Sequence, residues 1–478
     1  MKSLNNSNVA ISVALLGFAI LNLICINNGY FWDNIQQISK EAHWFYQTNF
    51  SSLLMPSQNS GAEIIATGYH PPLMGIMTAA LWKLFGYSIW VSHIFIYFWA
   101  ILLVVNLWKL VQFLFPEKYQ VWIFFIVLLE PTVLSQFAIA SPDFILFTAF
   151  IICLRALFKK EPLLLAIGFF FLCCINMRGI FVGSILIIIN YYSYYLENKN
   201  QLTFRAIGKT MLPYLPTLII LAIYFTYYIV VQGWFFSQSP EDGHYSAPNS
   251  VHRVIIHLAE FGLRSIENGR ILIWILAAIL IGIYLKYKTQ LPLLTKVLVV
   301  YYSLLLGLYL LFVVITQMPF SARYFLPQFF LLTLLTTQGL IKHFKERRIK
   351  VLFILIICFE LTGHFWIYPD KIAKSWDCTL AHLPYYQLRE KCFEYIDAQK
   401  LDYKDISAGF CLYENRRFVE LKNNDKTVRC DTSCKYFIFS NISNVEDVFA
   451  ASLKDGRNWT PIKHFESGVV YITIFKHK

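Results

Sequence analysis

Five side chains able to move a proton or hold a phosphate stand at the ends of apolar runs in this chain. Asp33 lies in Phe31-Trp32-Asp33-Asn34, just after the first run, and His70 opens His70-Pro71-Pro72-Leu73. Asp143 sits in Ser141-Pro142-Asp143-Phe144, Arg178 in Asn176-Met177-Arg178-Gly179, and Arg323 in Ser321-Ala322-Arg323-Tyr324. A carboxylate takes a proton from an attacking group. A guanidinium grips phosphate through charge-assisted hydrogen bonds, and a histidine donates or accepts near neutrality. Each also has a purely structural reading. Asp33-x-x-Gln36 resembles a capping box, and Ser141, Pro142 and Asp143 suit the first turn of a helix. His70 before two prolines suits a helix start as well. Taken together they point further. An ionised group near bilayer depth costs about 2.5–3.5 kcal/mol on insertion scales, so five gathered on one side of a membrane require partners.

The elements that would gather them follow from composition. The chain has 478 residues, of which 57% are hydrophobic and 15% charged, a balance unlike that of a soluble protein. Apolar runs near 9–27, 88–113, 120–138, 144–160, 162–177, 179–195, 211–231, 270–287, 296–316, 324–341 and 351–367 predict a polytopic α-helical membrane protein of about eleven transmembrane helices. The stretch 70–86 is too short to cross and reads as a helix lying on, or dipping into, the outer surface. Charge supports this count. Lys118, Lys159, Lys160, Lys199, Arg205, Lys209, Lys286, Lys288 and the basic 342–350 loop then share a side with Lys2, which the positive-inside rule makes cytoplasmic. The same rule accounts for the formal net charge of +12 without a nucleic-acid partner. Outer loops 28–87 and 232–269 and the tail beyond the last span face the opposite side.

Two domains are expected: a membrane domain over 1–367 and a small extracytoplasmic α/β domain over 368–478. In the tail, residues 383–399 carry apolar positions at helical spacing, while Lys435–Ser440 and Gly468–Phe475 read as strands. Five cysteines (Cys378, Cys392, Cys411, Cys430 and Cys434) fall there, and an oxidising compartment would allow disulfides among them. No cofactor is firmly implied. His257 and Glu260, spaced i, i+3, are a candidate divalent-metal pair, with a solvated helix over the site's mouth as the stronger reading; Glu63 is a further candidate.

The order of these motifs resembles the polytopic glycosyltransferases of the GT-C class that use lipid-linked sugars, including the protein mannosyltransferases and the aminoarabinose transferases of lipid A. The likeness covers roughly residues 9–340: aromatic-Asp in the first outer loop, His-Pro-Pro-Leu, Pro-Asp after the third span, and Arg323-Tyr324-Phe325-Leu326-Pro327 in a late one. Two positions depart from it. Asn34 stands where protein mannosyltransferases carry a second acid, and His70 where aminoarabinose transferases carry lysine.

The resemblance implies transfer of a sugar from a polyprenyl-phosphate donor to a glycan, lipid or protein acceptor on the extracytoplasmic face, with inversion. Asp33 would be the general base and Asp143 would orient acceptor or sugar. Arg178, Arg323 and His70 would hold the donor phosphate. The donor's tail would lie among the spans, each buried CH2 contributing about 0.8 kcal/mol. It also implies a bacterial inner membrane with a cytoplasmic N-terminus. A transporter or flippase of lipid-linked glycans is the competing class; such proteins place charges on broken helices at the bilayer midplane, whereas the five groups here lie at helix ends.

Overall fold

The computed structural model of the chain describes residues 2–53, 70–198, 204–232, 248, 250–288, 290–316, 320–366, 375–422, 426–429, 434–443 and 445–478. Helices come first. α1 (Lys2–Cys25) is followed by a π-helical turn (Ile35–Lys40) that runs into α2 (Glu41–Thr48), and then by α3 (Leu73–Phe85) and α4 (Ile89–Leu114). Next come α5 (Glu117–Leu128), α6 (Pro131–Ala138), α7 (Pro142–Lys159), α8 (Pro162–Ile175) and α9 (Met177–Glu197). The run continues through α10 (Phe204–Met211), α11 (Leu215–Gln232), α12 (Val251–Ile266), α13 (Ile271–Tyr287), α14 (Leu293–Ile315), α15 (Leu326–His343) and α16 (Glu346–Gly363). Prolines explain several starts. Pro131, Pro142 and Pro162 each occupy the first turn of a helix, where the missing N–H costs nothing.

Every apolar run of the sequence folds as helix, but not every helix is long and apolar enough to cross a membrane unaided. Among the described residues five are, or up to seven if each of two sharply bent pairs counts as one span. The shortfall has physical causes. α8 has 14 residues, and α16 carries Glu346, Arg347, Arg348, Lys350 and Glu360.

The bent pairs are α5 with α6, at 54°, and α12 with α13, at 97°. They meet in the protein. Arg270, at the second break, is ion-paired with Glu130 at the first, hydrogen-bonds Thr132 and stacks 3.9 Å over the Phe329 ring. Glycine permits this. Gly269 has φ +85, and a Cβ there would stand 2.1 Å from the Phe359 carbonyl oxygen of α16.

The tail adds α17 (Pro384–Ala398), β1 (Ile406–Ala408), α18 (Arg416–Val419), β2 (Tyr436–Ser440), α19 (Asp447–Lys454), β3 (Trp459–Ser467) and β4 (Val470–His477). The sheet order is β1-β2-β4-β3, with β1 parallel to β2 and the other pairs antiparallel. Alternation divides its side chains. Ile438, Ile472 and Ile474 join the core that runs on into the helices, while Phe437, Phe439 and Phe475 form a second cluster with Leu453 and Trp459. The helix over 383–399 and both tail strands stand where the pattern placed them. β1 and β3 were not foreseen.

The segment after α1 carries Trp32, Ile35, Ile38, Ala42 and Phe45 on one helical face and Gln36, Gln37, Lys40 and Glu41 elsewhere, which predicts an interfacial helix with its polar residues in solvent; the structure buries it instead. Ile35, Ile38, Ala42 and Phe45 are fully buried, but so are residues expected to face solvent. Lys40 and Glu414 form a buried ion pair at 2.9 Å, Gln36 donates to Glu414, Ser39 donates to the Phe418 carbonyl, and Tyr30 N–H to that of Val419. The tail covers this segment. Three of the five tail cysteines that could have paired, Cys378, Cys392 and Cys411, are buried free thiols. Cys430 lies outside the described residues.

Candidate functional site

Four helix beginnings and two interhelical turns deliver the site. His70 precedes α3, Asp143 and Arg178 lie in the first turns of α7 and α9, and Arg323 sits in a 3-10 turn (Ala322–Phe325) leading into α15. N-terminal helix ends carry partial positive charge, so their meeting favours anions. Asp33 follows Trp32, whose φ of 46° is left-handed. Such a backbone is uncommon for a bulky residue. Packing holds it: Trp32 stacks on Phe31 with ring centroids 5.7 Å apart and meets Phe410 edge-on, while Asn34 donates to the Ile139 carbonyl at 2.9 Å.

Arg323 is the centre. Its Nη2 is ion-paired with Asp33, its Nη1 lies 2.7 Å from Asp377 Oδ2, and its Nε lies 3.4 Å from Asp143 Oδ2. Arg178 reaches Asp143 at 2.8 and 3.0 Å, and its guanidinium lies 3.9 Å over the Tyr324 ring. Three carboxylates therefore face two guanidiniums. They differ in access: the Asp33 side chain is 36% exposed, against 4% for Asp143 and 1% for Asp377. Burial pushes the Asp377 carboxyl up, and the Arg323 charge pulls it back down.

His70 stands beside this group. Its Nδ1 accepts the Met177 N–H at 3.4 Å, and Tyr224 donates to its carbonyl. Burial, reinforced by the positive charge of Arg178, holds the imidazole down at about 3. It is neutral at physiological pH, and with Nδ1 accepting, the proton rests on Nε2.

All five residues singled out from the sequence stand here. The capping reading of Asp33 fails: Asn34 is the N-cap of the π-turn and makes no side-chain cap, Gln36 serves Glu414, and the Asp33 carboxylate goes to Arg323. The helix-start reading of Asp143 holds together with its ion pairs, since Ser141 Oγ accepts the Asp143 N–H at 3.1 Å.

Asp377 was missed. A signal existed, because Trp-Asp occurs twice, at 32–33 and 376–377, and both aspartates reach the same arginine. α6 fixes the second one: the Ser135 hydroxyl and Gln136 amide donate to the Asp377 carbonyl, each at 2.7 Å. The candidate metal pair does not converge. His257 is buried with Nδ1 3.1 Å from the Thr316 carbonyl, and Glu260 is exposed on another face of α12. Among the described residues no group of three His, Cys, Asp or Glu is arranged to hold a metal. Glu63 lies outside the described residues.

No family model matches the chain, and no curated protein does. Two crystal structures of ArnT from Cupriavidus metallidurans match at 10% identity. The structure bound to undecaprenyl phosphate gives a TM-score of 0.53 and covers 97% of each chain. The apo structure gives 0.54 and covers 99% of this chain and 98% of its own. With its apolar helices, this makes the chain an integral membrane protein that shares the GT-C-like fold of ArnT over nearly its full length.

Proposed function

We propose that the chain transfers a sugar from a polyprenyl-phosphate donor to an acceptor on the extracytoplasmic face of the membrane. The observation that carries the reading is the convergence of Asp33, Asp143 and Asp377 on Arg323 within the fold of an undecaprenyl-phosphate-binding protein. Asp33 is the base because it alone of the three keeps substantial exposure. It takes the proton of the acceptor hydroxyl or amine as that group bonds to the anomeric carbon. The bond from that carbon to the phosphate oxygen breaks in the same displacement, so configuration inverts. The departing polyprenyl phosphate carries the electron pair away and rests against Arg323 and Arg178. Neutral His70 donates from Nε2, and Asp143 holds Arg178 in place.

Donor and base compete for one guanidinium. With the site empty of donor, Arg323 holds the Asp33 carboxylate in an ion pair. A phosphate drawing Arg323 toward itself loosens that pair and frees the carboxylate to meet the acceptor. Asp33 is then released only when donor is present, which couples the base to donor binding. The N-terminus is cytoplasmic in this reading, the membrane is a bacterial inner membrane, and eleven helices cross it.

Transport of a lipid-linked glycan is the second reading. One observation favours it: the Glu130–Arg270 pair joins two bent helix pairs, as charged helix breaks do in transporters. Mass spectrometry of glycoconjugates separates the two. Cells carrying Asp33→Asn at normal protein level should lack the same sugar as cells without the gene. A product identical to wild type would exclude Asp33 as base, and a donor accumulating on the cytoplasmic face would favour transport.

A further inference from the structure

We infer that α12 lies in the lipid boundary at the site end of the helical bundle and anchors the Arg323 turn to the bilayer. Its direction is the first ground. α12 meets α13 at 97°, so where α13 crosses the membrane α12 runs along its plane. Its surface is the second. At about 100° per residue, Val251, Ile255, Leu258, Gly262 and Ile266 fall within about 80° of arc, and all five are exposed. Arg253 and Glu260, also exposed, stand on the opposite side. His257, Phe261, Arg264 and Ser265 are buried on a third side, between those two. The remaining flank carries half-buried Ile256 and Leu263 with exposed His252 and Ala259.

A helix with one face in protein, one apolar and one charged fits the plane where hydrocarbon meets headgroups. The occupant of the apolar stripe follows from its neighbours. α12 packs on α14, and the site end of α14 exposes Leu311, Val314 and Ile315, the surface that a membrane-crossing helix turns to lipid. The stripe continues that surface around the corner. Arg253 on the far side then reaches headgroup phosphate.

The buried face makes the anchorage consequential. Phe261 meets Phe325 edge-on at 5.1 Å and Phe320 at 6.4 Å, and those rings flank Arg323. His257 holds the Thr316 carbonyl at the foot of the same turn. The sequence pattern suggested a solvated helix at this place; exposure of the stripe assigns it to lipid instead.

The test uses the full chain in nanodiscs of phosphatidylethanolamine and phosphatidylglycerol, with Cys358→Ser, Cys430→Ser and Cys434→Ser so that the labelled thiol is the introduced one. Nitroxides are attached singly at Ile255→Cys, Leu258→Cys, Arg253→Cys and Glu260→Cys. Collision with oxygen, which concentrates in lipid, should dominate at 255 and 258; collision with a water-soluble nickel chelate should dominate at 253 and 260. Equal nickel access on both faces would overturn the inference. So would a stripe shielded from both reagents, which would mean that protein, as a second copy or another partner, covers it. The anchorage is read separately by hydrogen exchange. Ile255→Glu with Leu258→Glu should speed exchange at residues 320–325 on the order of tenfold, and an unchanged rate would overturn the coupling.

Discussion

Arg323 and Asp377 stand 2.7 Å apart from Nη1 to Oδ2, one at the head of α15 and the other beyond α16 in the tail. Their pairing means that the guanidinium at the centre of the site is held from two directions: by Asp33, near the start of the chain, and by a residue after the last helix of the bundle. The two aspartates occupy different depths and should fail differently. In the proposed reaction Asp33→Asn removes the base and should lower transfer by about 10²–10⁴ with little effect on the melting temperature. Asp377→Asn leaves that base in place but strands part of a buried charge, so it should lower thermal stability as well as transfer. Rates in membranes at matched protein level, with unfolding followed in detergent, check both.

The tail's hold on the segment between α1 and α3 is equally testable. Lys40 and Glu414 are buried at 2.9 Å. Lys40→Met or Glu414→Met strands the other charge and should cost about 3–5 kcal/mol. Joining Lys40→Met with Glu414→Met should restore most of the loss, since neither charge then remains buried. A double-mutant cycle on thermal unfolding measures the coupling.

Gly269 and Gly86 both have positive φ, at +85° and +102°, but only Gly269 has a neighbour in the way. Gly86→Ala should cost about 1–3 kcal/mol from backbone strain alone. Gly269→Ala must cost more, because the new methyl meets the α16 backbone and forces the Arg270–Glu130 pair apart. Melting temperatures of the two variants give the comparison, and equal losses would mean that the α12–α13 corner yields freely.

The imidazole of His70 sets a pH dependence with a definite sign. Its pKa falls from the ordinary 6.5 to about 3 in the folded chain, so the unfolded chain binds more protons between those values. Its contribution to stability is complete above about 6.5 and drains away as the pH falls toward 3. His70→Asn keeps a hydrogen-bond acceptor but no titrating ring. Wild type should therefore lose melting temperature more steeply than the variant across that window.

Orientation can be read from a thiol introduced into a chain carrying Cys430→Ser and Cys434→Ser, because the other tail cysteines, Cys378, Cys392 and Cys411, are buried. Val448 is 83% exposed. A membrane-impermeant maleimide added to intact spheroplasts should label Val448→Cys, and labelling only after permeabilisation would reverse the proposed topology.

Much of this architecture was legible in the sequence for a simple reason. Helices crossing or entering a bilayer must satisfy their own backbone hydrogen bonds, so apolar runs mark them directly, and residues such as Asp143 and Arg178 announce themselves at the ends. What stayed hidden depends on pairing across the chain. Nothing local in the 120–138 run says that Glu130 breaks it, since the carboxylate is tolerable only because Arg270 arrives from elsewhere. Lys40 and Glu41 looked like a solvent face because the covering tail is remote in sequence. Asp377 lay outside every apolar run, so only the repeated Trp-Asp could have linked it to Asp33. β3 was missed because its residues are mostly exposed, which blurs the alternation that revealed β2 and β4.

Because Asp377 lies beyond α16, the ribosome supplies it after every other charge of the cluster. A chain cut short after α16, by stalling or by a protease, would place Asp33, Asp143 and both arginines in the membrane yet leave the central guanidinium one counter-charge short. Synthesis past that residue thus doubles as a completion signal: the arginine at the centre of the cluster gains its third carboxylate only in a polypeptide that extends beyond the helices.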